Sequence, residues 1–135
     1  MKKKCIMLID DNVHDNYFSE KVIKQDDPDC IIIKKESAED ALHYIASEET
    51  PKPDIIFLDI YMPIMDGWDF LDKYCELNEA IRSKTMILML ATSGDPAHIE
   101  KANTWDCISD YITKPLTKER LQDISDIYLK HQMAV

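Results

Sequence analysis

Four residues far apart in the chain, Asp10, Asp11, Asp59 and Lys114, would make a site for phosphoryl chemistry if folding brought them together. A carboxylate can attack phosphorus and form an acyl phosphate, and Asp59 is the candidate nucleophile. Phosphoryl transfer asks mainly for alignment and for neutralisation of charge on the transferring oxygens, which a metal ion and a lysine supply. Lys114 is the candidate for that lysine. Three converging carboxylates repel one another unless a positive charge lies between them. Oxygen ligands without His or Cys select a hard cation, magnesium or another divalent ion such as manganese.

Each piece taken alone has an ordinary explanation. Asp10-Asp11 reads equally as a strand exit and the first turn of a helix, where acidic residues suit the positive dipole end. Asp66-Gly67 is a turn signal, with a backbone role for Gly67. Lys114-Pro115 reads as a loop, and its X-Pro bond makes a cis peptide accessible if the lysine must be aimed inward. Met62 and Met65 read as packing residues. His14, His43, His98 and His131 show no clustering and read as solvated. The joint pattern carries the weight.

The elements that would position these residues are legible. Short apolar runs at Cys5–Ile9, 30–33, Ile55–Leu58, Met86–Ala91 and 110–113 read as five strands. Between them, Ala38, Ala41, Leu42, Ile45 and Ala46 share one helix face, with Ser37 placed to cap it. Asn12 caps a first helix whose inward side would hold Val13, Tyr17, Phe18 and Val22. Phe70, Leu71, Tyr74 and Leu77 mark a third helix. Asp95-Pro96 opens a fourth, and Thr117 a fifth containing Leu121, Ile124 and Tyr128. Only the segment 48–53 reads as a substantial loop. Strands without polar alternation, separated by helices, give an α/β fold: a doubly wound parallel sheet covered on both faces. In such sheets ligands bind beyond the carboxyl ends of the strands. Asp10 and Asp11, Asp59, Thr92 and Lys114 all fall at such ends.

Composition narrows the function. A chain of 135 residues, 45% hydrophobic and 31% charged, fits one folded domain, 1–135. A net charge of −10 disfavours nucleic acid, whose affinity comes from clustered Lys and Arg. The apolar run behind the N-terminal lysines stops at Asp10, too short for an export signal or a membrane span. Cys5, Cys30, Cys75 and Cys107 have neither C-x-x-C spacing nor a zinc pattern and read as reduced core thiols, which suggests a cytoplasmic location.

Taken together, Leu8-Ile9-Asp10-Asp11-Asn12, the stretch from Leu58-Asp59 through Met62-Pro63 to Met65-Asp66-Gly67, and Tyr111-Ile112-Thr113-Lys114-Pro115 closely resemble the receiver domains of two-component response regulators. The resemblance spans nearly the whole chain. It implies a flavodoxin-like (βα)5 fold with strand order 2-1-3-4-5. It also implies Asp59 as phosphoacceptor, and Mg²⁺ held by Asp11, Asp59 and the backbone carbonyl of Tyr61, with Asp10 acting largely through water. Lys114 would contact the phosphoryl oxygen. The phosphoryl donor would be a histidine kinase or a histidine phosphotransfer protein. In the family a Thr or Ser ending the fourth strand bonds the phosphoryl group, and an aromatic residue on the fifth strand turns inward with it. Tyr111 matches the aromatic. Either Ala91 or Thr92 can align with the hydroxyl, and Thr92 keeps the usual distance to Lys114. Trp105-Asp106-Cys107 stands where many relatives have a glycine. The bulk of Tyr61, two residues beyond Asp59, would hinder water attack on the acyl phosphate.

The expected function is therefore a stand-alone response regulator with no output domain, switched by Asp59 phosphorylation and signalling to an unidentified protein target. Its oligomeric state stays open between a monomer and a phosphorylation-dependent dimer. It would not be an enzyme beyond its own phosphorylation and autodephosphorylation. Two alternatives belong to other classes. An aspartyl-nucleophile phosphohydrolase resembling haloacid dehalogenases needs a second Asp where Tyr61 stands. A degenerate receiver would bind partners without phosphate.

Overall fold

The computed structural model describes residues 3–134, with side chains described through Lys130; the solvation expected of His131 and the start of the chain at Met1-Lys2 lie outside the described residues. The chain runs β1 (Cys5–Ile9), α1 (Val13–Asp26), β2 (Ile31–Lys35), α2 (Ala38–Ala46), β3 (Ile55–Leu58), α3 (Gly67–Tyr74), α4 (Glu79–Arg82), β4 (Met86–Ala91), α5 (Pro96–Ala102), β5 (Ile108–Thr113) and α6 (Lys118–Ala134). The five strands form one parallel sheet in the order β2-β1-β3-β4-β5. β1, β3 and β4 are buried throughout, as expected of central strands covered on both faces.

Alternate residues of each central strand feed two separate cores. Met7, Ile9, Ile56, Leu58, Ile87 and Met89 pack with Ala38, Ala41, Ile45, Phe70, Leu71 and Tyr74 of α2 and α3. Ile6, Leu8, Phe57, Leu88 and Leu90 pack on the other face with Ile23 of α1 and Leu121 and Ile124 of α6. Burying a side chain the size of Leu or Phe contributes about 1.5–3 kcal/mol, so each strand is fixed from both sides. Side-chain caps set the helix starts: Asn12 accepts from His14 N and Asp15 N, and Ser37 from Asp40 N. Asp66 forms a capping box with Asp69, Asp95 precedes Pro96, and Thr117 Oγ1 accepts from Arg120 N.

Several expectations are corrected. The inward side of α1 is Asn16, Ser19 and Ile23, while Val13, Tyr17 and Phe18 are exposed and Val22 is half-buried. Val13, Tyr17 and Phe18 share a helix face, but it is the outer one, whereas Val22 packs against the core. Beneath the inner face lies the carbonyl of Asp10, which accepts from Asn16 Nδ2 at 3.0 Å, so a polar residue is needed there. β2 extends past 33 to Lys35 because its register follows β1, and an edge strand tolerates charge. β5 begins at Ile108, with a bulge-like register shift opposite Ile87 and Leu88 that admits the polar Ser109 and Asp110. α4 is an added turn of helix whose signal, Asn78 accepting from Ala80 N, sits in a segment too short for periodicity. Cys5 and Cys30 are buried as expected, but Cys75 is exposed and Cys107 half-buried, because the end of α3 and the entry to β5 lie at the rim of the sheet. His98 is half-buried, unlike His14 and His43. The expected loop 48–53 is present, held by Lys52 Nζ on the carbonyl of Tyr44 at 2.8 Å and by Tyr44 Oη on that of Pro51 at 2.6 Å.

Candidate functional site

β1 and β3 are adjacent, so their ends place two acidic segments side by side. Asp59 N donates to the carbonyl of Ile9, and Asp10 N to that of Lys35, extending the ladders one residue beyond the strands. Carboxylate oxygens of Asp10, Asp11 and Asp59 all lie within 4.8 Å of one another. Asp10 and Asp59 are buried and Asp11 is exposed, so the cluster opens to solvent on one side. Asp10 Oδ1 also accepts from Asn12 N at 2.9 Å, which fixes the carboxylate against the start of α1.

Lys114 reaches this cluster from the far edge of the sheet. Its backbone N donates to the carbonyl of Ala91, and the Lys114–Pro115 bond is cis. Nζ lies 2.5 Å from Asp10 Oδ2, 2.7 Å from Asp15 Oδ2 and 3.6 Å from Asp59 Oδ1. Asp15, in the first turn of α1, was not singled out by the sequence. Its signal was available, since a residue capping distance beyond Asn12 must sit over the same strand end. Asn16, whose Nδ2 donates to the Asp10 carbonyl, was not singled out either.

Electrostatics follow from burial. Burial, then the neighbouring charge of Asp10, pushes the Asp59 carboxyl up to about 7, against partial relief from Lys114. Burial alone would lower the Lys114 ammonium, but its bonds to Asp10 and Asp15 and the charge of Asp59 outweigh that and hold it above the ordinary lysine range. The lysine is charged, and the carboxylates still lack enough positive charge. An all-oxygen cluster that is incompletely neutralised and open on one side is suited to a hard divalent cation.

The remaining expected residues surround this centre. Gly67 must be glycine: a Cβ there would stand 2.4 Å from the carbonyl oxygen of Asp59, and Gly67 N donates to the carbonyl of Ile60 at 2.7 Å. Ala91 ends β4 with its methyl in the α2–α3 core, and Thr92 is the first, exposed residue beyond it. Leu90 faces the opposite core, on the side where it shares a small cavity with Asp10 and Asp59. Strand alternation directs Thr92 to the same side as Leu90. Tyr111 is half-buried, and its Oη donates to the carbonyl of Ser93 at 2.5 Å, tying β5 to the loop after β4. Tyr61 is exposed, and its Oη pairs with His98 Nε2 at 3.0 Å across the mouth of the site. Ile64 holds a left-handed conformation, φ 72°, in the loop from β3 to α3, which no sequence signal announced.

A five-stranded doubly wound sheet with an acidic cluster and one lysine at its carboxyl edge defines a class of flavodoxin-like α/β domains with a polar site at the strand ends. Comparison with known proteins gives the family. Residues 6–126 match the response regulator receiver domain, and the chain belongs to that family. It is 34% identical over 120 residues to protein PilG of Pseudomonas aeruginosa, covering 86% of this chain and 80% of PilG. It is 30% identical to a protein-glutamate methylesterase/protein-glutamine glutaminase of Methanospirillum hungatei over 95% of this chain but only 35% of that protein. Among solved structures, a two component response regulator from Cytophaga hutchinsonii superposes with a TM-score of 0.85 at 27% identity, covering 96% of this chain and 99% of the other. The fold and its strand order therefore agree with the sequence expectation. This is a receiver domain of two-component signalling, a family whose members bind Mg²⁺ at an acidic pocket and receive phosphate from histidine kinases. Among the described residues no helix is long and apolar enough to cross a membrane.

Proposed function

We propose that this chain is a phosphorylation-driven binding switch in which Asp59 is the phosphoacceptor. The single observation that carries the reading is the convergence of the Asp10, Asp11 and Asp59 carboxylates at one strand edge, with Lys114 Nζ against Asp10 and Asp59. A carboxylate oxygen of Asp59 attacks the phosphorus of a phosphohistidine, the P–N bond breaks as the P–O bond forms, and the histidine leaves as the neutral imidazole after protonation. Asp10, Asp11, Asp59 and the Tyr61 carbonyl would hold a divalent cation, magnesium or manganese, which supplies charge neutralisation during transfer. Lys114 serves the phosphoryl oxygens on the other side, exchanging part of its contact with Asp10 for the new group.

Thr92 and Tyr111 form the reading device. The Thr92 hydroxyl meets the new phosphoryl oxygen, and Tyr111, held on the Ser93 carbonyl, follows the movement of that loop. The surface so altered is read by a protein partner. The charge of −10 supports a protein rather than a nucleic acid. We read residues 1–135 as one receiver unit in the cytoplasm, without turnover of external substrates.

The test is incubation with magnesium and acetyl phosphate, followed by intact mass beside an Asp59→Asn control. A gain of about 80 Da in wild type alone, one phosphoryl group on the carboxylate, is the expected result. No gain, together with no response to beryllofluoride, would overturn the switch in favour of phosphate-independent binding.

A further inference from the structure

We propose that Cys75 and Cys107 form a reversible dithiol–disulfide pair, a redox modification site on the face opposite α1 and α6. Their Sγ atoms lie 3.4 Å apart although the residues are 32 positions apart in the chain. A disulfide requires about 2.05 Å, so closure needs the two sulfurs to approach by only about 1.4 Å. Neither of the other cysteines competes. Cys5 sits inside β1 and Cys30 immediately before β2, both buried.

The two partners are placed for different tasks. Cys75 is the exposed C-cap of α3 and meets solutes directly. Cys107 is half-buried at the entry to β5, packed beside Trp105 and Ile108 against the α2–α3 core. An open cleft of about 270 Å³, lined by Glu79, Arg82, Asp106 and Ser109, reaches it from solvent. Burial, and then the adjacent Cys75, push the Cys107 thiol up to about 12, so the exposed Cys75 rather than Cys107 makes the first attack.

The oxidant is a low-molecular-weight disulfide. Cys75, as thiolate, attacks one sulfur, forming a mixed disulfide and expelling one thiolate. That thiolate takes the Cys107 proton, and Cys107 attacks Cys75 Sγ and expels the second thiolate, which takes up the proton that Cys75 released. Two protein thiols are oxidised, one small disulfide is reduced to two thiols, and both protons leave with them. Closure staples the end of α3 to the start of β5 across the segment that carries α4, β4 and α5. The strand bearing Tyr111 is thereby tied to the thiol–disulfide balance of its surroundings.

The experiment treats the native full chain with oxidised glutathione at neutral pH. Wild type is expected to lose about 2 Da, to yield one cross-linked peptide pair containing Cys75 and Cys107, and to revert with dithiothreitol. Closing a loop of this length should raise Tm by about 10 °C. Cys107→Ser should instead gain about 305 Da, one glutathione trapped on Cys75. Cys75→Ser should do neither. A stable 305 Da adduct on folded wild type, or a cross-link to Cys5 or Cys30, would overturn the proposal.

Discussion

Removing the charge of Asp59 should stabilise the metal-free protein at neutral and alkaline pH. The Asp59 carboxyl is held at about 7 by burial and by Asp10, against 3.8 ordinarily. A carboxyl whose folded pKa is raised gives stability that is complete below the unfolded pKa and lost as pH rises to the folded one. Wild type therefore weakens between about pH 4 and pH 7, whereas Asp59→Asn does not titrate there. At about 1.36 kcal/mol per pH unit, the difference between 3.8 and about 7 sets a ceiling of about 4 kcal/mol. Solvent at the open side of the cluster and an effective dielectric near 20 bring this to about 2 kcal/mol. That is about 6 °C in Tm for a domain of this size. Thermal unfolding of both proteins in EDTA from about pH 4 to 9 should show curves closest at the acid end, separating as pH rises to about 7 and running parallel above it. Magnesium should reverse the ranking, because wild type keeps three carboxylates and the variant two. Curves that superimpose across the range would refute the claim that burial and the charge of Asp10 raise the Asp59 carboxyl.

Further outcomes follow from particular contacts. Gly67→Ala must drive a Cβ against the Asp59 carbonyl, costing about 1–3 kcal/mol in denaturant unfolding and weakening magnesium binding by calorimetry. Lys114→Met removes the cation bonded to Asp10 and Asp15, and should lower metal-free stability by about 3 kcal/mol in urea titration and slow acetyl phosphate labelling. Tyr61→Ala opens the site mouth and frees His98, so phosphate release from the labelled protein should quicken several-fold; an unchanged rate would count against water exclusion by Tyr61.

The sheet was legible because its central strands are apolar on both faces, a pattern that helices of this length do not share. The acidic pair, Asp59 and Lys114 were legible because ligands in such sheets gather at carboxyl ends. The inner face of α1 was not legible. Val13, Tyr17, Phe18 and Val22 make a regular apolar stripe, and only knowing that the Asp10 carbonyl needs a donor would assign Asn16 and Ser19 to the interior. Asp15 hid for a related reason: an acidic residue in a helix's first turn already has an explanation in the dipole. The Cys75–Cys107 contact depends on how α3 ends and β5 begins, two loop geometries that no periodicity encodes.

The bond between Lys114 and Asp10 joins residues 104 positions apart. During synthesis the acidic cluster is therefore made long before its lysine. A ribosome-bound chain stopped before β5 carries the carboxylates of β1 and β3 without their built-in counter-charge, and such long-range closure comes late in folding. On the proposed function, phosphoryl acceptance therefore requires β5, because a chain stopped before it lacks the lysine assigned to the phosphoryl oxygens.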